Sequence, residues 1–336
     1  MTVLVDSFSR RIDYLRISVT DRCNLRCSYC MPEEGFELAP AEEILTFEEI
    51  ARFTRIAVSL GVKKVRLTGG EPLVRRGLDK LIGALSAIPG VEDLSLTTNG
   101  LLLSGFAERH KKAGLMRVNV SLDTLDPEKY ARLTKRGELP RVLEGIETAL
   151  RVGLKPVKVN VVVVRGFNDG EVDSFTRLSL ERELRVRFIE FMPTGGQSFW
   201  QEGHYVRTEE VRRRVESLGT LVPAPEGPRA GPGTEYHILL PGGELSPGSV
   251  GFISPLSQHF CSACNRLRLT ADGKLRACLF SDSEIDLRAP LRAGASDAEI
   301  VSLLSMGTWE KPEGHGFREL GGRCGNWRRP MAAIGG

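Results

Sequence analysis

Apolar residues in the first two-thirds of the chain recur with two alternating periods. Short runs of period two, bounded by turn residues, predict strands at 15–19, 64–67, 94–97, 117–121, 157–164 and 187–191. Between them the apolar spacing lengthens to three and four residues and predicts helices at 47–60, 78–88, 101–113, 140–152 and 171–180. The first helix is punctuated at both ends, by a Thr46/Glu49 capping box and by Gly61. Six strand–helix units in succession predict a parallel sheet with right-handed crossovers. Periodicity alone leaves an open doubly wound layer and a curved partial barrel equally available. From about residue 206 the alternation stops. A helix at 209–218, a Pro/Gly-rich stretch at 223–233, short strands at 236–240 and 250–254, and a hairpin about Asp272-Gly273 predict a second, smaller α+β unit. The expected division is 1–205 and 206–336.

Composition narrows the class. The chain has 336 residues, 41% of them hydrophobic, enough for a sizeable core and long enough to split into a large and a small unit. Formal charge is only +3, and charges of both signs are mixed, which argues against a general nucleic-acid surface and for local basic sites that take a small anion. The first twenty residues carry Asp6, Arg10, Arg11 and Asp13 without an apolar core, and no apolar run approaches the roughly 18 residues needed to span a bilayer. A cytoplasmic protein with no membrane contact is expected. Seven cysteines, an odd number, fit neither a disulfide framework nor an oxidising compartment.

Six of those cysteines form two triplets. Cys23, Cys27 and Cys30 follow directly on the first predicted strand, with no fourth cysteine nearby. Three thiolates on a 4Fe-4S cubane leave one iron free to take a further ligand. A helical stripe of buried thiols is the bland alternative, but Asn24, Arg26 and Ser28 interleave polar groups and Pro32 stops any helix. Zinc wants four ligands, and the nearest histidine, His110, is far away. The second triplet is Cys261, Cys264 and Cys278. It describes a second open cubane, or half of a zinc site shared with the first. Cys324 is left over.

The polar residues of interest gather after strands, at the carboxyl end where ligands bind in both candidate architectures. After the second strand come Gly69, Gly70, Glu71 and Pro72, two glycines for close backbone approach and a carboxylate suited to an ammonium group. Thr97 closes the third strand, Ser121 and Asp123 the fourth, and Met192 the sixth. Lys158 and Asn160 share a face of the fifth, and a lysine inside so apolar a strand calls for an anionic partner. In the late hairpin, period two puts Cys264, Arg266 and Arg268 on one face with Leu267 and Leu269 on the other. A three-residue loop at 271–273 places Arg266 opposite Cys278; a two-residue loop places Leu267 there instead.

The CxxxCxxC spacing, with Tyr29 before its third cysteine and Gly-Gly-Glu-Pro one unit later, resembles the radical S-adenosylmethionine (SAM) superfamily. Across nearly the whole length, through residues 16–32, 187–193 and 261–270, the second triplet and the terminal Gly335-Gly336, the chain resembles the GTP 3′,8-cyclases of molybdenum cofactor biosynthesis. The resemblance implies an incomplete (β/α)6 TIM-like barrel whose open side is closed by the C-terminal unit. It implies two 4Fe-4S clusters, on Cys23, Cys27 and Cys30 and on Cys261, Cys264 and Cys278, and SAM held by Tyr29, Gly70, Glu71, Ser121 and Met192. GTP would be held by Arg16, Arg66, Thr97, Lys158, Arg266, Leu267 and Arg268, with its guanine on the second cluster. Arg266, Arg268, Gly335 and Gly336 are implied to support turnover. Implied partners are a cyclic pyranopterin monophosphate synthase that takes the product, an electron donor and a second copy of the chain. Residues 319–328, with Cys324, depart from the family pattern. A peptide-modifying maturase of the same superfamily, a metal protein without catalysis and a nucleic-acid module are the alternatives. They call respectively for more late cysteines, no strand-end basic residues, and a basic stripe with stacking aromatics.

Overall fold

The computed structural model describes residues 3–31, 35–192, 202–225, 233–315 and 329–335. Six parallel strands run in sequence order: β1 (Tyr14–Ser18), β2 (Lys64–Thr68), β3 (Asp93–Thr98), β4 (Arg117–Ser121), β5 (Val157–Val163) and β6 (Leu184–Glu190). The connecting helices are α1 (Phe47–Ser59), α2 (Leu78–Ser86), α3 (Leu103–Lys112), α4 (Pro127–Thr134), α5 (Leu139–Arg151) and α6 (Val172–Glu181). The predicted capping box is present: Thr46 Oγ1 accepts from the Glu49 N–H at 3.2 Å and Glu49 Oε2 from the Thr46 N–H at 2.7 Å. Gly61 follows in the left-handed region, φ 97°, where a side chain would be strained. α1 buries Ile50, Phe53, Thr54 and Ala57, one face of a 3.6 period.

The strands alternate in a way that sets the rest of the molecule. Leu15, Ile17, Val65, Leu67, Leu94, Leu96, Val118, Val120, Val157 and Val159 lie in one hydrophobic core with the helices. The residues between them, among them Tyr14, Arg16, Arg66, Thr97 and Lys158, face a shared cavity. The same period two that makes these segments strands therefore separates a greasy outer face from a polar inner one.

The C-terminal segment adds α7 (Thr208–Glu216), β7 (Thr220–Pro223), β8 (Thr234–Leu239), β9 (Ser249–Ile253), β10 (Arg266–Leu269), β11 (Lys274–Arg276), β12 (Ile285–Asp286), α8 (Arg288–Arg292), α9 (Asp297–Trp309) and α10 (Met331–Ile334). β9 pairs parallel with β6 and β10 parallel with β1, so these strands extend both edges of one sheet, in the order β12-β11-β10-β1-β2-β3-β4-β5-β6-β9-β8-β7. Residues from β9 and β10, far apart in that order, line one cavity, so the sheet curves around it. The architecture is the incomplete (β/α)6 barrel, with C-terminal strands narrowing its open side.

The hairpin has the three-residue loop. Arg268 pairs with Arg276 and Leu269 with Leu275, and continuing that register sets Arg266 opposite Cys278. Two expectations need adjusting. β6 begins at Leu184 rather than at residue 187, because Leu184 and Val186 alternate with Arg185 and Arg187 as a half-buried strand does. α4 and α9 were not anticipated, although Asp126-Pro127 and the Ser296/Glu299 capping box mark their starts.

Candidate functional site

Strand register assembles the site. Arg268 pairs with Arg16, Arg16 with Arg66, Arg66 with Ser95 and Ser95 with Arg117, so four arginines lie in one layer across β10, β1, β2, β3 and β4. Two residues earlier along the same strands, Arg266 pairs with Tyr14 and Tyr14 with Lys64. On β5 and β6, Asn160 pairs with Arg187, and Lys158 lies two residues before Asn160. All of these except Ser95 line a cavity of about 270 Å³. Lys311 also reaches it, which makes nine lysine and arginine side chains against one carboxylate, Asp123, among the described lining residues.

Such a layer is costly without an anion. Burial, followed by the neighbouring Arg268, pushes Arg16 down to about 9. Burial does the same to Arg66, whose guanidinium stacks on Tyr14 at 5.4 Å and donates to Ser95 Oγ at 3.4 Å. Two carboxylates behind the wall offset part of the charge. Asp93 receives Arg117 in a two-point bond (2.8 and 2.5 Å). Glu235, on β8, receives Lys158 at 3.5 Å, Arg185 at 2.7 Å and Arg187. Burial, and after it Arg187, lowers Lys158 to about 6. Burial raises Glu235, but Arg187 and Lys158 outweigh it and bring the carboxyl to about 2. Thr97 Oγ1 and Asn160 Oδ1 are buried at the cavity wall with no hydrogen-bond partner in the protein, polar atoms that a ligand would satisfy.

The first triplet sits in the loop after β1. Cys23 Sγ accepts from the Leu25 N–H at 3.4 Å and lies 3.8 Å from Asn99 Nδ2. Burial raises Cys27, and the charges of Cys30 and Cys23 add to it. Cys30 is pushed up to about 12 by burial and by Cys23, with the Ala332 backbone N–H acting the other way. Three partly buried thiols close enough to oppose one another's ionisation suit a cationic iron cluster rather than free thiolates. In the second triplet, burial raises Cys264, but Arg266 and Lys311 carry it down to about 6. No His, Cys, Asp or Glu group among the described residues is gathered around a point as for a single metal ion.

Most of the residues singled out from sequence meet at this cavity: Arg16, Tyr29, Arg66, Thr97, Ser121, Lys158, Met192, Cys261, Cys264, Arg266, Arg268 and Cys278. Tyr29 donates to Asp123 Oδ2 at 2.6 Å, tying the cysteine loop to the end of β4. Leu267 packs in the hydrophobic core on the opposite face of β10 and is not among the residues lining this cavity. Packing alone requires Gly69 and Gly70 to be small, since a Cβ on either would strike the backbone carbonyls of Thr20, Asp21 or Arg22. Gly70 and Glu71 also bond that segment, N–H to Thr20 O at 2.7 Å and to Arg22 O at 2.8 Å. The Glu71 carboxylate accepts from Leu73 N, Thr98 Oγ1 and Asn99 N, and burial raises it to about 7. Its grip on Asn99 reaches the first triplet, because Asn99 Nδ2 donates to Asn24 Oδ1 at 2.8 Å. The Gly335 carbonyl accepts from Arg268 Nη1 at 2.7 Å, and Met331 lines the cavity. Gly336 and Cys324 lie outside the described residues. Lys64, Arg117, Arg187 and Lys311 line the cavity but were not singled out; period-two spacing with Arg66 and Arg185 was the available signal for Lys64 and Arg187.

Two family models match successive parts of the chain. A family model described as the Radical SAM superfamily matches residues 17–178, and one described as Molybdenum Cofactor Synthesis C matches residues 184–317. A GTP 3′,8-cyclase of Pelotomaculum thermopropionicum is 52% identical over 334 residues, covering 98% of this chain and 99% of the relative. One from Moorella thermoacetica is 49% identical over 333 residues with the same coverage. Among solved structures, Streptococcus suis SuiB bound to precursor peptide SuiA superposes with a TM-score of 0.64 at 16% identity, over 91% of this chain and 66% of that one. That likeness is one of fold.

Proposed function

The chain belongs to the GTP 3′,8-cyclase family of radical SAM enzymes, and from that premise we propose how its own residues hold GTP, SAM and two 4Fe-4S clusters. It converts GTP to (8S)-3′,8-cyclo-7,8-dihydroguanosine 5′-triphosphate, the first step of molybdenum cofactor biosynthesis. The observation that carries the site reading is the single cavity that joins Tyr29, Ser121 and Met192 on the first triplet's side to Cys261, Cys264 and Cys278 on the other, with the cations between.

Cys23, Cys27 and Cys30 would hold the first cluster, and Tyr29, Gly70, Ser121 and Met192, backed by Glu71, would hold SAM. Cys261, Cys264 and Cys278 would hold the second cluster and, through its open position, the guanine. What the first cluster and SAM supply when bound is a carbon radical that takes hydrogen from the ribose at C3′. The chain's own task is to keep C3′ near guanine C8 and away from water. Arg16, Lys64, Arg66, Lys158, Arg187, Arg266 and Arg268 meet the triphosphate with planar or point-charge donors suited to phosphate oxygens, and Thr97 and Asn160 offer unsatisfied polar atoms beside them. Leu267 contributes by packing, keeping β10 in register with β1. Arg268, bonded to the Gly335 carbonyl, links the triphosphate side to the Gly335-Gly336 tail.

In this reading residues 1–205 form the SAM unit and 206–336 the unit of the second cluster and tail. The product passes to a cyclic pyranopterin monophosphate synthase, an electron donor reduces the first cluster, and the enzyme works as a homodimer in the cytoplasm. No helix among the described residues is long and apolar enough to cross a membrane. A peptide-modifying maturase is the weaker reading, because likeness to SuiB stops at the fold, whereas the cyclases share about half of all positions.

Iron and sulfide per chain after anaerobic reconstitution test the cofactor assignment. About eight irons are expected, falling to about four when either triplet is replaced by alanine. Zinc without iron rejects it.

A further inference from the structure

Two buried cations, Lys311 at the edge of the cavity and Arg10 outside it, direct donors to backbone carbonyls beside the second triplet. Lys311, 3% exposed, directs its Nζ to Arg266 O at 2.9 Å and Ala277 O at 2.6 Å. The first carbonyl lies two residues after Cys264 and the second immediately before Cys278. Arg10, whose side chain is 6% exposed, directs Nη1 to Cys261 O at 2.8 Å and Glu313 O at 2.8 Å, and Nη2 to Pro312 O at 2.6 Å. Asp6 fixes the same guanidinium through Nε at 2.5 Å. Each of the three cysteine-bearing segments is thus tied to a cation, and the two cations are joined through residues 311–313.

This arrangement has a chemical point. Cys261 opens a 3-10 turn, Cys264 is the residue that closes it, and Cys278 lies in the loop after β11, so no regular element fixes all three at once. A cluster binds well only where its thiolates are already positioned, and partners behind the ligands commonly set that position. Carbonyls satisfy the donors of Lys311 without cancelling its charge, whereas Asp6 balances the charge of Arg10.

We propose that Arg10 and Lys311 are positioning residues for the second cluster, holding its three cysteine segments in place through their backbone carbonyls. The proposal rests on the reading that Cys261, Cys264 and Cys278 carry a cluster. Its test uses the full chain with Cys23→Ala, Cys27→Ala and Cys30→Ala, in which bound iron reports on the second triplet alone. If this parent takes up no iron, the underlying reading fails before the positioning role is reached. If it takes up about four irons, Lys311→Met and Arg10→Met in the same background are expected to retain less than half of that, with a changed electron paramagnetic resonance signal in what remains. With all cysteines present, the same substitutions should leave the first cluster's iron in place. Full iron in both variants overturns the proposal, as does equal loss from both triplets, which is the mark of a general folding defect.

Discussion

Lys158 gives the sharpest handle on the anion site. In the free protein its burial, together with Arg187, holds it at about 6, so above neutral pH it is mostly uncharged. A triphosphate beside it favours the ammonium form, so binding must bring a proton with it. The sign is fixed by that direction: GTP affinity falls as pH rises above 6 and levels off below it. Each pH unit costs about 1.4 kcal/mol, so the cost at pH 8 is about 2.7 kcal/mol, a hundredfold in affinity. The assay is calorimetry of GTP binding to the cluster-loaded enzyme without SAM or reductant, between pH 7.5 and 9, in buffers of unequal ionisation enthalpy. The expected result is that the wild-type protein takes up nearly one proton more at pH 8 than Lys158→Gln, and that its dissociation constant rises close to tenfold more per pH unit, since any contribution from Arg16 and Arg66 is shared by both proteins. Ionisation of the guanine itself is common to both proteins and cancels in the comparison. Equal pH slopes for the two proteins would refute the reasoning and mean that Glu235 keeps Lys158 charged before GTP arrives.

Other consequences can be checked alongside. Arg266→Ala and Arg268→Ala each remove charged hydrogen bonds of about 1.5–3 kcal/mol, so kcat/KM for GTP should fall roughly tenfold to a hundredfold while iron stays near eight per chain; loss of iron would make these residues structural. Asp93→Asn leaves Arg117 buried without its counter-charge and should lower stability in urea by about 3–5 kcal/mol; an unchanged midpoint would mean that solvent reaches the pair. Deleting Gly335-Gly336 removes the carbonyl that Arg268 holds and should reduce cyclised product without reducing cluster content; unchanged turnover would reject a role for the tail.

What could be read from the sequence is what local chemistry sets. Period two found the six barrel strands, since each has a greasy side for the helices and a polar side for the cavity, and the Thr46/Glu49 capping box located α1. α9 was missed because its apolar residues, from Ile300 through Met306, surround the helix instead of forming a stripe. Long-range pairing was not legible either. Nothing in residues 249–253 or 266–269 announces that they attach to opposite edges of the same sheet. Register was hidden for the same reason, so Arg16, Arg66 and Arg268 could be suspected one at a time but not recognised, together with Arg117, as a layer. The Gly69-Gly70 pair has a second reason to be small that the sequence hides: it packs against the backbone of residues 20–22, a contact only the folded chain reveals.

The central claim is that this chain couples SAM cleavage to cyclisation of GTP. It is tested most directly by measuring 5′-deoxyadenosine after anaerobic reconstitution, with SAM and a strong reductant, in the presence of GTP, ATP or no nucleotide, with mass analysis of the nucleotide. Strong stimulation by GTP alone, with a cyclised product, is the predicted result. SAM cleavage indifferent to GTP, with the nucleotide recovered unchanged, would contradict it.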